Sequence, residues 1–160
     1  MSLLSWRGVV IGLVATVTMD VLTLAAVKLR LSAPLAPALV GRWFASVARA
    51  RPLHSDIAQE APLDHEVAIV FPVHYAIGAT LALVYLASAA ALGLDPRHAG
   101  MALAFGLATS VLAWLLMFPS MGYGFFGVHG PAGTRLFATS LLSHAFYGVG
   151  LWLAASIVAR

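Results

Sequence analysis

Three ionisable side chains interrupt the apolar stretches of this sequence: Asp20, His74 and His144. A carboxylate and two imidazoles can exchange protons, because histidine titrates near neutral pH and its ring both donates and accepts hydrogen bonds. Two histidines with one carboxylate also form a ligand set that suits Zn, Fe, Mn or Cu. These residue types predict a site that binds a divalent transition metal or conducts a proton or small substrate. Haem held between the two histidines is a further alternative.

Polar side chains recur beside these three residues, either adjacent in sequence or at the three- and four-residue spacing that places side chains on one face of a helix. Such neighbours can orient a ligand or relay a proton by hydrogen bonding from a second layer. The predicted second layer comprises Thr16, Thr23, Tyr75, Ser140 and Tyr147.

The composition excludes a water-soluble domain. Of the 160 residues, 61% are hydrophobic and only 9% are charged, whereas a soluble domain has about 25% charged residues. So few charges cannot cover a water-facing surface, and we predict an integral membrane protein whose main partner is the lipid bilayer. The net charge of +3 is spread thinly, which argues against a nucleic-acid partner. The sequence has no cysteine, which excludes disulfides and thiolate metal sites.

Four apolar stretches are long enough to cross a bilayer, which requires about 20 residues per helix. We predict an all-α, four-helix membrane bundle that forms a single domain over residues 1–160, with an additional interfacial helix in the first loop. The first stretch is interpreted as a retained span, because it is long and lacks a clear small-residue cleavage site. The predicted spans cover residues 6–27, 66–92, 99–118 and 134–158.

The first loop carries a short amphipathic segment at residues 39–49, in which Arg42 and Trp43 are predicted to anchor the helix at the membrane interface. The acid-rich remainder of this loop is interpreted as solvated, with Asp64 as the N-cap of the second span. Some of its side chains are alternative contributors to the polar site. These loop candidates are His54, His65 and Glu66.

Asp20, His74 and His144 are predicted to lie at a similar depth. Four spans place the first loop and the glycine-rich loop at 119–133 on the same side. Counted from that side, at ~1.5 Å per residue, all three residues are roughly 10 to 15 Å deep. A charged side chain at mid-membrane costs about 2.5–3.5 kcal/mol, so we expect all three to face the interior and to pair directly or through one ion or water. The alternative is a structural cluster that only sets the helix register.

The basic residues predict an orientation. The loop side carries six of them and the opposite side three, so the positive-inside rule places the long first loop in the cytoplasm. The six are Lys28, Arg30, Arg42, Arg49, Arg51 and Arg135, and the three are Arg7, Arg97 and Arg160.

Several short motifs, in this order, resemble a bacterial family of small four-span membrane proteins of unknown function. They are Met19-Asp20, Gly41-Arg42-Trp43, the following His54, His74-Tyr75 and the late His144. The resemblance covers nearly the whole chain and implies the four-span fold and an inner-membrane location. It brings no established activity.

The functional prediction therefore rests on the residues. It is a binding or transport role for a metal ion, a proton or a small molecule. A membrane enzyme or assembly factor that uses the same site is the alternative. Serine or cysteine hydrolysis is disfavoured, because cysteine is absent and no G-x-S-x-G elbow occurs. A seam of small residues on the third span, at Ala102, Gly106 and Ser110, predicts close helix packing. A homo-oligomer is left open.

Overall fold

The structure, a computed structural model, describes residues 6–158 and contains only helices and loops in that range. The predicted all-α fold class is confirmed, and Arg160, which entered the charge count, lies outside the described residues. Short 3₁₀ turns occur at Ile57–Gln59 and Phe125–Gly127. We number the five helices α1 (Trp6–Lys28), α2 (Pro37–Ala48), α3 (Glu66–Leu92), α4 (Ala99–Ser120) and α5 (Thr134–Val158).

Helices α1, α3, α4 and α5 are each long and apolar enough to cross a membrane. They have 23, 27, 22 and 25 residues, against the requirement of about 20. The helix α4 ends two residues later than predicted and contains a π turn at Ala113–Met117. Pro119 follows this turn and has no N–H to donate to the carbonyl four residues earlier, which explains the wider turn before it.

Small residues allow the spans to approach closely. Helix α1 packs against α3 and α5, and α5 also packs against α4. A Cβ on Gly12 would lie 2.5 Å from Cα of Ala79, and one on Gly106 would lie 2.6 Å from Cα of Gly148. Van der Waals packing of this kind holds helices together in lipid, where no hydrophobic force acts between them. The small-residue seam on α4 therefore faces α5.

The first loop and the glycine-rich loop meet at one end of the bundle. The backbone N–H of His54 donates to Ser120 O at 2.8 Å, and that of Ile57 donates to Met121 O at 3.0 Å. Gly122 has φ +88°, and any Cβ there would collide with the Ser55 carbonyl. The two loops therefore form one packed cap.

Helix α2 is present as predicted, although it packs against α3 and contributes Leu39 and Trp43 to an apolar cluster under the cap. That cluster is built from buried residues of the first loop, α4, the glycine-rich loop and α5, namely Ile57, Phe118, Met121, Tyr123 and Leu136.

The predicted N-cap of α3 is wrong. His65, with φ +62°, occupies that position and caps no backbone N–H with its side chain. The carboxylate of Glu66 instead accepts from the N–H of Leu63 at 3.1 Å. The turn is closed by a side chain of the first helical residue, so Asp64 is not needed for that role.

Candidate functional site

The carboxylate of Asp20 lies against two consecutive residues of α3. His74 Nε2 is 3.0 Å from Asp20 Oδ1, and the Tyr75 hydroxyl donates to Asp20 Oδ2 at 3.0 Å. A carboxylate can only accept hydrogen bonds, so Nε2 carries the hydrogen whenever Asp20 is ionised. The contact between α1 and α3 thus joins a carboxylate, an imidazole and a phenol in one group.

This group is only partly covered by protein. The side chains of His74 and Asp20 are 31% and 38% exposed. Within residues 6–158, no lysine or arginine forms an ion pair with Asp20, whose one possible cationic partner is His74. The net charge of the pair therefore depends on the number of protons it holds.

His144 has a different partner from the one predicted. Its Nδ1 lies 2.8 Å from the hydroxyl of Thr109, which itself donates to Gly106 O at 2.6 Å. A threonine hydroxyl has one hydrogen to give, so when that hydrogen goes to Gly106 O, Nδ1 of His144 is the donor to Thr109 and Nε2 is the acceptor of a neutral ring. A direct bond to Asp20 or His74, one of the two arrangements predicted, does not occur among residues 6–158, because the α4–α5 contact places Thr109 against Nδ1 of His144.

The predicted metal ligand set is not assembled. No group of three histidine, aspartate or glutamate side chains within residues 6–158 is positioned to hold a metal ion. Asp20 and His74 supply at most two adjacent ligands, and Nδ1 of His144 is used by Thr109. A three-ligand centre would require Nε2 of His144 to reach Asp20 and His74, and the described residues do not bring these three side chains together.

Two residues of the predicted second layer connect helices instead of touching the polar group. Thr16 donates to the Gly12 carbonyl of its own helix at 2.8 Å, and its side chain fills the space left by Gly78 on α3. The Tyr147 hydroxyl on α5 donates to the Gly78 carbonyl at 2.6 Å. Both residues therefore position α3, which carries His74 one turn earlier.

Two other second-layer residues, Thr23 and Ser140, lie between the polar group and the loop cap. The hydroxyls of Thr23 and Ser143 are 3.1 Å apart and join α1 to α5. The Ser140 hydroxyl is buried with no hydrogen-bond partner among the described residues. Tyr75, also predicted for this layer, binds Asp20 directly.

Arg42 is not the interface anchor that the sequence predicted. It is 7% exposed, and its Nε and Nη2 donate to the two oxygens of Glu66 at 2.9 and 3.0 Å. Its Nη1 donates to the carbonyls of Ile57 at 3.2 Å and Glu60 at 2.8 Å. The hydrogen bond to Glu66 is the main cause that raises the pKa of Arg42 above its usual value. The buried charges are paired, as their desolvation requires.

Trp43, the other predicted anchor, is partly buried and donates from Nε1 to the Pro52 carbonyl at 3.2 Å. This bond holds the segment that follows α2 against that helix. Trp43 is thereby a packing residue of the cap.

The loop candidates are separate from the Asp20 group. The side chain of His54 is 8% exposed, and its Nδ1 lies 3.2 Å from Glu60 Oε1. Its predicted solvation is therefore wrong, since the pairing of the two loops buries it. His65 is exposed at the start of α3, and Glu66 forms an ion pair with Arg42.

Sequence reasoning missed Thr109 and the Arg42–Glu66 pair. Thr109 is one polar residue in an apolar helix, and nothing local marks it as the partner of His144. Gly41 is the one residue near Arg42 that indicates a close approach of α2 to α3. Any Cβ at Gly41 would collide with the Glu66 carbonyl. A glycine beside a basic residue in an apolar helix can mark such a close approach.

A family profile described as "Protein of unknown function (DUF2938)" matches residues 9–158. The chain belongs to this family. The DUF2938 match spans all four apolar helices almost completely and includes Asp20, His74 and His144. The resemblance to a family of unknown function is thereby confirmed. No curated protein and no solved structure matches the chain.

Proposed function

We propose that this DUF2938 protein binds and transfers a proton within the membrane at the Asp20–His74 pair. The observation that carries the proposal is the 3.0 Å contact between these side chains, within two apolar spans and with no lysine or arginine partner among residues 6–158. An ionisable residue inside a membrane span is costly, and such residues commonly serve a proton or substrate pathway.

The physical argument concerns net charge. With one shared proton the pair is neutral overall, whether the proton resides on Asp20 or on His74. Loss or gain of a proton leaves an uncompensated charge, which a low-dielectric environment opposes. The two side chains are therefore expected to share one proton, and the Tyr75 hydroxyl donates to the carboxylate.

The distribution of polar residues favours access from the loop cap. Thr23, Ser140 and Ser143 lie between the cap and the polar group. The opposite half of the bundle is filled by an apolar core that includes Ile11 and Leu151, both fully buried. We therefore propose that protons enter from the cap side, and that transfer to the other side requires the apolar half to rearrange.

Infrared difference spectroscopy on the protein in nanodiscs tests this proposal. A pH step should change the carboxyl and imidazole bands of the parent protein, because one coupled pair exchanges a proton. Asp20→Asn should remove the carboxyl component, and His74→Gln should remove the imidazole component, because these two side chains form the pair. Asp64→Asn, at an exposed loop residue, is the matched control.

A parent spectrum that Asp20→Asn leaves unaltered would contradict the proton site. Thermal-shift titration with Zn²⁺, Cu²⁺ and Mn²⁺ covers the metal alternative, because a ligand that binds only the native state raises its stability. A shift that His74→Ala abolishes would replace the proton proposal with metal binding.

We also propose an orientation in a bacterial inner membrane with the long first loop in the cytoplasm. Arg42 is neutralised by Glu66, but five exposed basic residues remain on the cap side. These are Lys28, Arg30, Arg49, Arg51 and Arg135. The positive-inside rule then predicts an external C-terminus. A reporter enzyme that is active only outside the cytoplasm should be active when it is fused after residue 160. A reporter that is active only in the cytoplasm should be inactive there, and the opposite pair of results would reverse the assignment.

A further inference from the structure

Three basic residues converge where α1 ends and α5 begins. Lys28 is the last residue of α1, and Arg30 follows it two positions later. Arg135, the second residue of α5, donates from Nη2 to the Arg30 carbonyl at 3.4 Å. All three side chains are exposed, and within residues 6–158 none of them forms an ion pair with a carboxylate. This corner of the cap therefore concentrates positive charge that the described part of the chain does not neutralise.

The backbone of Arg30 has a conformation that glycine adopts more easily, with φ +60°. Its N–H donates to Val27 O and that of Leu31 donates to Ala26 O, both at 2.9 Å. This is the Schellman pattern of a helix end, in which glycine is the usual residue because a Cβ opposes the left-handed conformation. Arginine at this position costs stability, and such strained residues cluster at ligand-binding sites.

Arg135 lies against the dipole of its own helix. The positive end of a helix dipole disfavours a cation in the first turn, and the first turn of the 25-residue α5 contains no acidic residue. The end of α1, in contrast, favours the charges of Lys28 and Arg30. Arg135 thus adds a cation to a place where two other cations and the helix end are already positive. An anion in contact with its guanidinium group would lower the energy of this arrangement.

The surroundings of Arg30 fit the head-group layer of a membrane. Leu29 and Leu31, on either side of it, are each 69% exposed. Since the apolar helix α1 ends at Lys28, the two leucines lie at the edge of the acyl-chain region and the basic residues lie at the level of the lipid phosphates. Clusters of lysine and arginine at the end of a span attract anionic lipids. The local anion with which these side chains are complementary is therefore a lipid phosphate.

We infer that Arg30 and Arg135, together with Lys28, bind the head group of an anionic phospholipid. The phosphate oxygens accept charge-assisted hydrogen bonds from the guanidinium groups, and the acyl chains lie against the exposed leucines at the end of α1. Phosphatidylglycerol fits this site better than phosphatidylcholine, whose trimethylammonium group cancels the charge of its phosphate. The site is separate from the Asp20–His74 pair and does not depend on which side of the membrane the cap faces.

Native mass spectrometry of the full chain, with phosphatidylglycerol and phosphatidylcholine of identical acyl chains, tests the site. The parent protein should bind phosphatidylglycerol at least about tenfold more tightly, which corresponds to about 1.4 kcal/mol. The double variant Arg30→Gln, Arg135→Gln should lose most of this preference. Arg49→Gln, Arg51→Gln is the matched control, because it removes the same two charges from exposed positions that follow α2 on the cap side. It should retain the preference.

Arg30→Gly separates the charge from the fold. Glycine suits the left-handed conformation, so this variant should unfold at the same temperature as the parent or higher. It should nevertheless bind phosphatidylglycerol more weakly, because one guanidinium group is lost. Undiminished binding in Arg30→Gly would contradict the site.

Three other results would also overturn the inference. Equal binding of the two lipids by the parent would mean that the head group is not recognised. Equal weakening by the two double variants would mean that net charge on the cap, and not this cluster, attracts the lipid. Displacement of phosphatidylglycerol by inorganic phosphate alone would identify a soluble anion as the occupant.

Discussion

Replacing Arg42 with glutamine should lower the free energy of unfolding by about 3–5 kcal/mol, the cost of breaking a buried ion pair by removing one partner. The substitution would leave the carboxylate of Glu66, which is 8% exposed, without its ion-pair partner. It would also deprive the Ile57 and Glu60 carbonyls of their guanidinium donor. Equilibrium unfolding of the full chain in mixed micelles, followed by circular dichroism, measures the loss.

Arg49→Gln is the matched control, because Arg49 is exposed on the same segment and should change stability by no more than about 0.5 kcal/mol. The double variant Arg42→Met, Glu66→Leu distinguishes a lost charge partner from lost packing. It removes both charges and should be more stable than Arg42→Gln, because an apolar pair of similar volume leaves no buried charge. Equal stability of Arg42→Gln and Arg49→Gln would show that the ion pair does not hold α2 on α3.

Replacing Gly106 with valine should destabilise the bundle by about 3 kcal/mol, the upper part of the usual range for overpacking. A Cβ at this position would lie 2.6 Å from both Cα and N of Gly148, so two backbones would have to separate. The neighbouring hydrogen bond between Thr109 and His144 should lengthen or break as α4 moves from α5. The same unfolding experiment gives the stability, and ¹⁵N NMR of His144 reports its tautomer.

Gly100→Val serves as the control within α4. A Cβ there would meet only the side chain of His98, at 3.1 Å, which can move aside. The tautomer of His144 should stay as in the parent in this variant and change in Gly106→Val. An unchanged His144 signal in Gly106→Val would mean that the α4–α5 contact does not set its hydrogen bond.

The two variants act on different parts of the site. The Arg42–Glu66 pair sets the start of α3, and His74 lies eight residues further along that helix. The Gly106–Gly148 contact sets the distance between α4 and α5, on which the Thr109–His144 bond depends. The positions of His74 and His144 therefore depend on separate helix contacts, which can be changed one at a time.

The amino-acid sequence alone determined the four spans, the helix in the first loop and the presence of polar residues within the apolar helices. These properties are local, because a span requires only a long apolar run and a helix face requires only three- and four-residue spacing. The sequence also placed Asp20 and His74 as candidates for one site. The Thr109 partner of His144 and the Glu66 partner of Arg42 were not predictable in this way.

Tertiary structure decided which polar group meets which. The rotation of each helix about its axis and the choice of neighbours are set by glycine contacts between distant segments, such as Gly106 with Gly148. With the helices in these positions, His144 hydrogen-bonds to Thr109, and Asp20 hydrogen-bonds to His74 and Tyr75. Arg42 and Glu66 are 24 residues apart in the sequence. They form a buried ion pair because the intervening loop folds back on α2, whereas the sequence predicted Arg42 at the membrane surface. Pairings of this kind depend on long-range packing, which spacing along one helix does not encode.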